Sequence, residues 1–98
     1  MAEQLRIYTI NRGELRNFAD EWREKIRPLR LDLGFQIGGA WLVEETNQFV
    51  WLLSYDGPDS WAARDAAYYS SPQRQAMEPN PARLIARVEE YFVEDASL

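Results

Sequence analysis

The chain has 98 residues, enough for one compact domain, and 46% of them are apolar and 13% aromatic, so a real core is available and disorder is excluded as a description. Sixteen acidic residues against eleven basic ones give a net charge of −5, and the ten Arg and single Lys are scattered. That argues against a phosphate-backbone footprint and against a polybasic membrane patch, so neither nucleic acid nor membrane is expected as a partner.

The absence of Cys removes disulfides, thiolate nucleophiles and zinc–sulfur sites. The absence of His removes the commonest general base and metal ligand, together with every Ser–His or Cys–His arrangement. No metal site is expected, since the Asp and Glu residues show no EF-hand-like spacing. No GxGxxG, Walker-type loop or nucleophile elbow occurs, so no cofactor is expected. Residues 1–10 lack the basic and apolar blocks of a secretory signal, and no apolar run reaches the roughly 18–20 residues of a membrane span. A soluble cytoplasmic protein is the expectation.

In chain order, Gln4 to Ile10 is rich in β-branched and aromatic residues and reads as a strand. Asn11 with Glu14 three residues on fits a capping box. Leu15, Phe18, Ala19, Trp22, Ile26, Leu29 and Leu33 then form one stripe of a helix. Pro28 predicts a kink or break, and Gly34 a C-terminal stop. Phe35 to Tyr55 reads as two strands joined by a turn at Glu45-Thr46-Asn47, with a bulge at Gly38-Gly39.

This hairpin is apolar on both parities. Phe35, Ile37, Trp41 and Val43 are expected on one side of its first strand and Ala40 and Leu42 on the other. In the second strand Phe49, Trp51, Leu53 and Tyr55 alternate with Val50 and Leu52. A strand with one wet face alternates apolar and polar, so both faces are expected to be covered.

Asp56-Gly57-Pro58 is expected to open a second helix, Asp59 to about Tyr69, with Asp56 or Gly57 as cap. Ser71-Pro72 starts another short turn, Gln73 to Met77. Glu78-Pro79-Asn80-Pro81 is a loop, and a last strand is expected around Arg87 to Glu94. The order strand, helix, strand, strand, helix, strand predicts an α+β ferredoxin-like βαββαβ fold in one domain, a four-stranded antiparallel sheet with two helices on one face. Its bare apolar face predicts a homodimer through the sheet, a dimeric α/β barrel. Roughly 800 Å² or more buried per subunit, at about 25 cal/mol per Å², would offset the entropic loss of association.

Leu5-Arg6-Ile7-Tyr8-Thr9 with Gly13, Pro28-Leu29-Arg30, Gly34-Phe35, Gly39-Ala40-Trp41 and Asn47-Gln48-Phe49-Val50-Trp51-Leu52 leading to Tyr55-Asp56 resemble the NIPSNAP family of the dimeric α/β-barrel superfamily. Many members of that family have His at the position of Trp51 and Trp at that of Leu53, so no histidine-dependent role carries over. The superfamily resemblance implies a cleft between sheet and helices for small hydrophobic molecules. It also implies chemistry of the cofactor-free monooxygenase, cyclase or muconolactone-type isomerase kind.

Within such a cleft, Tyr8, Trp41, Trp51 and Tyr55 are candidates for a flat wall around a planar aromatic or polyketide-like ligand, and Tyr68 with Tyr69 for its rim. Plain core and interface packing is the competing assignment for these aromatics. Arg30, Arg64 and Arg6 are candidates for binding a carboxylate or enolate at the cleft mouth, against the commoner surface salt bridge with Asp32 or Asp65. Asp56 and Asp59 read as cap acids, and Glu44-Glu45 and Glu89-Glu90 as solvated residues. Two functions stay open: a ligand-processing domain, and a non-catalytic binding or assembly domain whose dimer is its function.

Overall fold

The computed structural model describes residues 1–97. Four strands, β1 (Ala2–Ile10), β2 (Gln36–Val43), β3 (Gln48–Tyr55) and β4 (Ile85–Phe92), form one sheet in the order β2-β3-β1-β4 with every neighbouring pair antiparallel. The helices α1 (Leu15–Glu21), α2 (Arg27–Asp32), α3 (Trp61–Ser70) and α4 (Pro72–Gln75) complete the ferredoxin-like α+β arrangement. The aromatic contacts of Phe18 and Trp22 with Tyr8, Phe49 and Trp51 hold the first helical segment on one face of the sheet. Trp22 meets Trp51 edge-on at 5.4 Å, and both indoles are buried.

Pro28 does not break the first helical segment. A π-helical stretch, Trp22–Ile26, joins α1 to α2, and the Arg27 N–H donates to the carbonyl of Trp22, five residues back. Pro28 therefore falls in the first turn of α2, where a missing N–H is harmless. The segment stops as expected at Gly34, whose φ of 91° only glycine adopts freely. The Phe35 N–H donates to the Arg30 carbonyl (3.0 Å) and the Gly34 N–H to that of Leu31 (3.0 Å), a Schellman closure.

The caps differ from the expected ones. Asn11 and Glu14 form no capping box: the Asn11 side chain donates to the Arg83 carbonyl (3.1 Å), and Glu14 accepts from Asn17 (2.8 Å). Helix α3 starts at Trp61 rather than Asp59, and Ser60 caps it by accepting from the Ala63 N–H (3.1 Å). Asp56, Gly57 and Asp59 lie outside the helix. Asn47 closes the hairpin from the left-handed region, φ 56°, with its amide donating to the Ile10 carbonyl at 2.6 Å. The last strand begins two residues before the expected Arg87.

The bulge at Gly38-Gly39 is present and changes the side-chain parity of β2. Ile37 pairs with Leu53, but beyond the bulge Ala40 pairs with Trp51 and Leu42 with Phe49. Ala40 and Leu42 therefore share the helix-covered face with Ile37, and Trp41 and Val43 turn to the open face. Trp41 is 49% exposed there.

Strand β1 reverses the usual assignment of faces. Gln4, Arg6, Tyr8 and Ile10 point under the helices and are buried, whereas Leu5 and Ile7 look out over the open face. Leu5 lies opposite Leu52, and Ile7 opposite Val50.

Candidate functional site

Alternation along β1 puts Gln4, Arg6 and Tyr8 in a row beneath the helices. Arg30 descends from α2, and Asp65, Tyr68 and Tyr69 share a face of α3 through their three- and four-residue spacing. These groups meet. Both guanidiniums are 1% exposed and share one carboxylate oxygen, with Arg30 Nη1 donating to Asp65 Oδ1 at 2.8 Å and Arg6 Nη2 at 3.3 Å. Arg6 Nη2 also pairs with Glu90 (2.9 Å), and its Nε donates to Gln4 Oε1 (2.8 Å). Arg6 Nη1 reaches the hydroxyls of Tyr69 (3.1 Å) and Tyr8 (3.3 Å). The Arg30 guanidinium carbon lies 3.6 Å from the centre of the Tyr68 ring and 4.7 Å from that of Phe35.

A buried charge persists only when paired and hydrogen-bonded, and both arginines meet that condition. Burial opposes the charge on Arg6, but the contacts with Tyr8 and Tyr69 outweigh it and hold the guanidinium above its ordinary range. Burial pushes the Tyr8 phenol up against the opposing pull of Arg6. Burial likewise pushes Tyr68 up to about 12, with Arg30 and Arg74 pulling the other way. At neutral pH these tyrosines are phenols with an O–H to donate.

Beside this network lies a cavity of about 130 Å³ between helices and sheet. It is lined by Tyr8 and Trp51 from the sheet, by Tyr68, Arg30, Arg74, Ile26 and Ile85, and by the more exposed Tyr69 and Val88. It approaches the roughly 150 Å³ that houses one benzene-sized ring in an apolar interior.

Four of the seven residues singled out from sequence, Tyr8, Arg30, Trp51 and Tyr68, thus line one cavity. Arg30 is buried in the wall, not placed at the mouth, because its ion pair with Asp65 is internal. Tyr55 and Arg64 lie elsewhere, on a wide groove of about 490 Å³ with Gly34, Gly57 and Pro58. There Arg64 donates to Asp59 (3.2 Å) and to the Leu33 carbonyl (3.3 Å), and the Tyr55 hydroxyl donates to Asp59. Asp59 is thereby a bridging acid instead of a cap. Trp41 joins neither group, because the bulge turns it to the open face.

Gln4, Glu90 and Arg74 escaped the sequence reading. The inward parity of Gln4 and Arg6 was a usable signal. Glu90 looks like an ordinary edge residue until β4 pairs it with Arg6, and nothing near Arg74 in sequence marks it. Among the described residues no cluster of three or more acids gathers where a metal ion would sit, and no helix is long and apolar enough to cross a membrane.

No curated protein matches the chain. Among solved structures it is similar to a NIPSNAP domain protein from Burkholderia xenovorans, at 22% identity over 99% of this chain and 96% of that one, with a TM-score of 0.84. A NIPSNAP family protein from Agrobacterium tumefaciens is 20% identical over 95% and 90% of the two chains, with a TM-score of 0.83. A putative antibiotic biosynthesis monooxygenase from Nitrosomonas europaea has the same fold at 11% identity, 98% and 99% coverage and a TM-score of 0.69. The NIPSNAP family model matches residues 3–97, nearly the whole sequence, and the chain belongs to that family.

Proposed function

We propose that this chain, as a single domain, forms a homodimer that binds a small hydrophobic, planar molecule in each subunit's helix–sheet cavity. The observation that carries the reading is the cavity itself, with Tyr8, Trp51 and Tyr68 around a buried guanidinium. At about 130 Å³ it takes one ring, so a larger polyketide-like molecule would insert one end and lie across Val88 and Tyr69 with the rest. Trp51 and the two phenols supply flat apolar contact, and Arg30 stabilises negative charge on an enolate or phenolate oxygen. Positioning with electrostatic stabilisation suits oxidation of an electron-rich phenol by dioxygen, or an aldol-type cyclisation, without a cofactor. The fold shared with antibiotic biosynthesis monooxygenases supports this direction. A cysteine-free, acidic chain suits a cytoplasmic place of action.

Support for the dimer comes from β1, where apolar Leu5 and Ile7 occupy the uncovered side and polar Gln4 and Arg6 the covered one. With Val50, Leu52 and Trp41 they make an apolar patch that a second copy of the sheet would bury. The same observation favours a second reading, in which the dimer is the function and the cavity serves only packing.

Native mass spectrometry of the purified protein, with oxygen uptake on anthrone-like and poly-β-ketone substrates, tests the proposal. A co-purified small molecule, or turnover lost in Arg30→Met and Tyr8→Phe, is expected. An empty protein that turns over nothing would leave the assembly reading.

A further inference from the structure

One side chain on the open face of the sheet is held in its pose by the residue beneath it. Past the bulge, Gly39 lies opposite Leu52 and Trp41 opposite Val50, so both belong to that face, two residues apart on one strand. The Trp41 indole folds back over Gly39. A Cβ on Gly39 would stand 2.5 Å from Trp41 Cη2 and 2.6 Å from Cζ2, closer than carbon atoms approach. The ring therefore fills space that any other residue at this position would occupy, and Trp41 still leaves 49% of its surface outward. An exposed aromatic already held in one pose loses little rotamer freedom on binding, which suits it to anchor an interface.

The charge and size of the surrounding face indicate what covers it. Of the charged strand residues, Arg6 and Glu90 point under the helices, which leaves Glu3, Arg87 and Glu89 on the open side. Arg87 pairs with Glu89 at 3.3 Å, and the Tyr91 hydroxyl donates to Glu89 at 3.1 Å. A chain of net charge −5 thus keeps this face close to neutral. Two copies can meet across it with little repulsion, whereas a strongly charged partner finds almost nothing to pair with. The sheet's four strands, about 4.8 Å apart and about eight residues of 3.3 Å long, give a face of roughly 500 Å² in projection. Side chains raised above the sheet make its accessible area larger, of the order of the roughly 800 Å² per partner that a stable complex buries.

We infer that Trp41, seated on Gly39, is the anchor through which a second copy of this chain binds the open sheet face. This rests on the reading of the chain as a homodimer and adds which side chain carries the contact and what holds it ready.

Dimer dissociation constants from sedimentation equilibrium test the inference. Trp41→Ala should weaken the dimer about thirtyfold or more, with the circular dichroism spectrum of the parent retained. Gly39→Ala adds one methyl that drives the ring from its seat, and should weaken it tenfold or more. With Trp41 already replaced by alanine that methyl meets no ring, so Gly39→Ala should then change the constant less than twofold. This difference separates a lost pose of the ring from a direct clash with the partner. Leu31→Ala, which trims an exposed apolar side chain on α2, should change nothing. A dimer indifferent to Trp41→Ala, or a Gly39→Ala effect equal in both backgrounds, would overturn the anchor and leave the dimer standing. A parent chain that stays monomeric would give the face to another occupant and overturn the anchor and the dimer together.

Discussion

Replacing Asp65 by alanine is the sharpest probe of the buried network. Its Oδ1 lies 2.8 Å from Arg30 Nη1 and 3.3 Å from Arg6 Nη2, and both guanidiniums are almost inaccessible to water. Arg6 would keep Glu90, Gln4 and two phenols, but Arg30 would lose its one ion-pair partner and keep only the aromatic rings of Tyr68, Phe35 and Tyr69. Removing one member of a buried pair costs about 3–5 kcal/mol. The Asp65 side chain is 24% exposed, so water partly screens the pair and the lower end applies, about 3 kcal/mol. For a domain worth 5–15 kcal/mol in total, that is a large share. Asp65→Asn keeps an acceptor and should lose about half as much. The Asp20–Arg23 pair, more than half exposed on both sides, provides the control, and Asp20→Ala should change stability by less than about 0.5 kcal/mol. Urea unfolding with an unchanged m-value measures all three. The double variant Arg30→Met/Asp65→Leu removes both charges and should be less damaging than Asp65→Ala alone. A loss below about 1 kcal/mol in Asp65→Ala, or one equal to that of Asp20→Ala, would refute the view that these arginines are held by a shared buried carboxylate.

Three further outcomes are expected. If the proposed sheet-to-sheet dimer forms, Val50→Asp, placed on the open face opposite Ile7, should convert it to monomer in light scattering while the far-ultraviolet spectrum stays unchanged. Stability should fall as pH rises between about 10 and about 12: Tyr68 is raised in the folded state, so its contribution is complete below the unfolded value near 10 and is lost as the buried phenol is forced to ionise. Two units correspond to about 3 kcal/mol at most, and Tyr68→Phe should flatten that part of the profile in denaturant titrations run at each pH. Gly34→Ala should lower stability by about 1–2 kcal/mol in urea unfolding. There is room for the methyl, whose nearest neighbour is a Tyr55 carbon at 3.6 Å, so the loss comes from the positive φ alone.

Element order and fold class were legible because they rest on local signals: the three-and-four spacing from Leu15 to Leu33, the strand run at Gln4–Ile10, and Gly34 as a stop. Errors arose where a short-range rule met a longer-range competitor. Pro28 was expected to kink or break the helix, and a π-helical stretch carries the chain past it without a break. Asn11 was expected to cap but is drawn to the Arg83 carbonyl, seventy-two residues away. Trp41 was assigned by strict alternation, and the bulge two residues earlier reversed its face. The glycines announced that a bulge would occur, but the side on which the strand resumed depended on its pairing with β3.

The sequence by itself determined that this is one ferredoxin-like layer of sheet with helices on one side, and that aromatic and arginine side chains are its distinctive contents. Composition and periodicity act residue by residue along the chain, so one strand of residues carries that information. Only the tertiary structure decided which of those side chains meet. Arg6, Arg30, Asp65 and Glu90 come from four different elements, and their convergence in one buried network, with Arg30 also lining the cavity beside it, follows from strand register and helix packing. Tyr55 and Arg64, equally plausible on residue type, were carried to another part of the surface by the same packing. Electrostatic and hydrogen-bond energies depend on distances of a few ångströms, and those are fixed only when the elements close on one another.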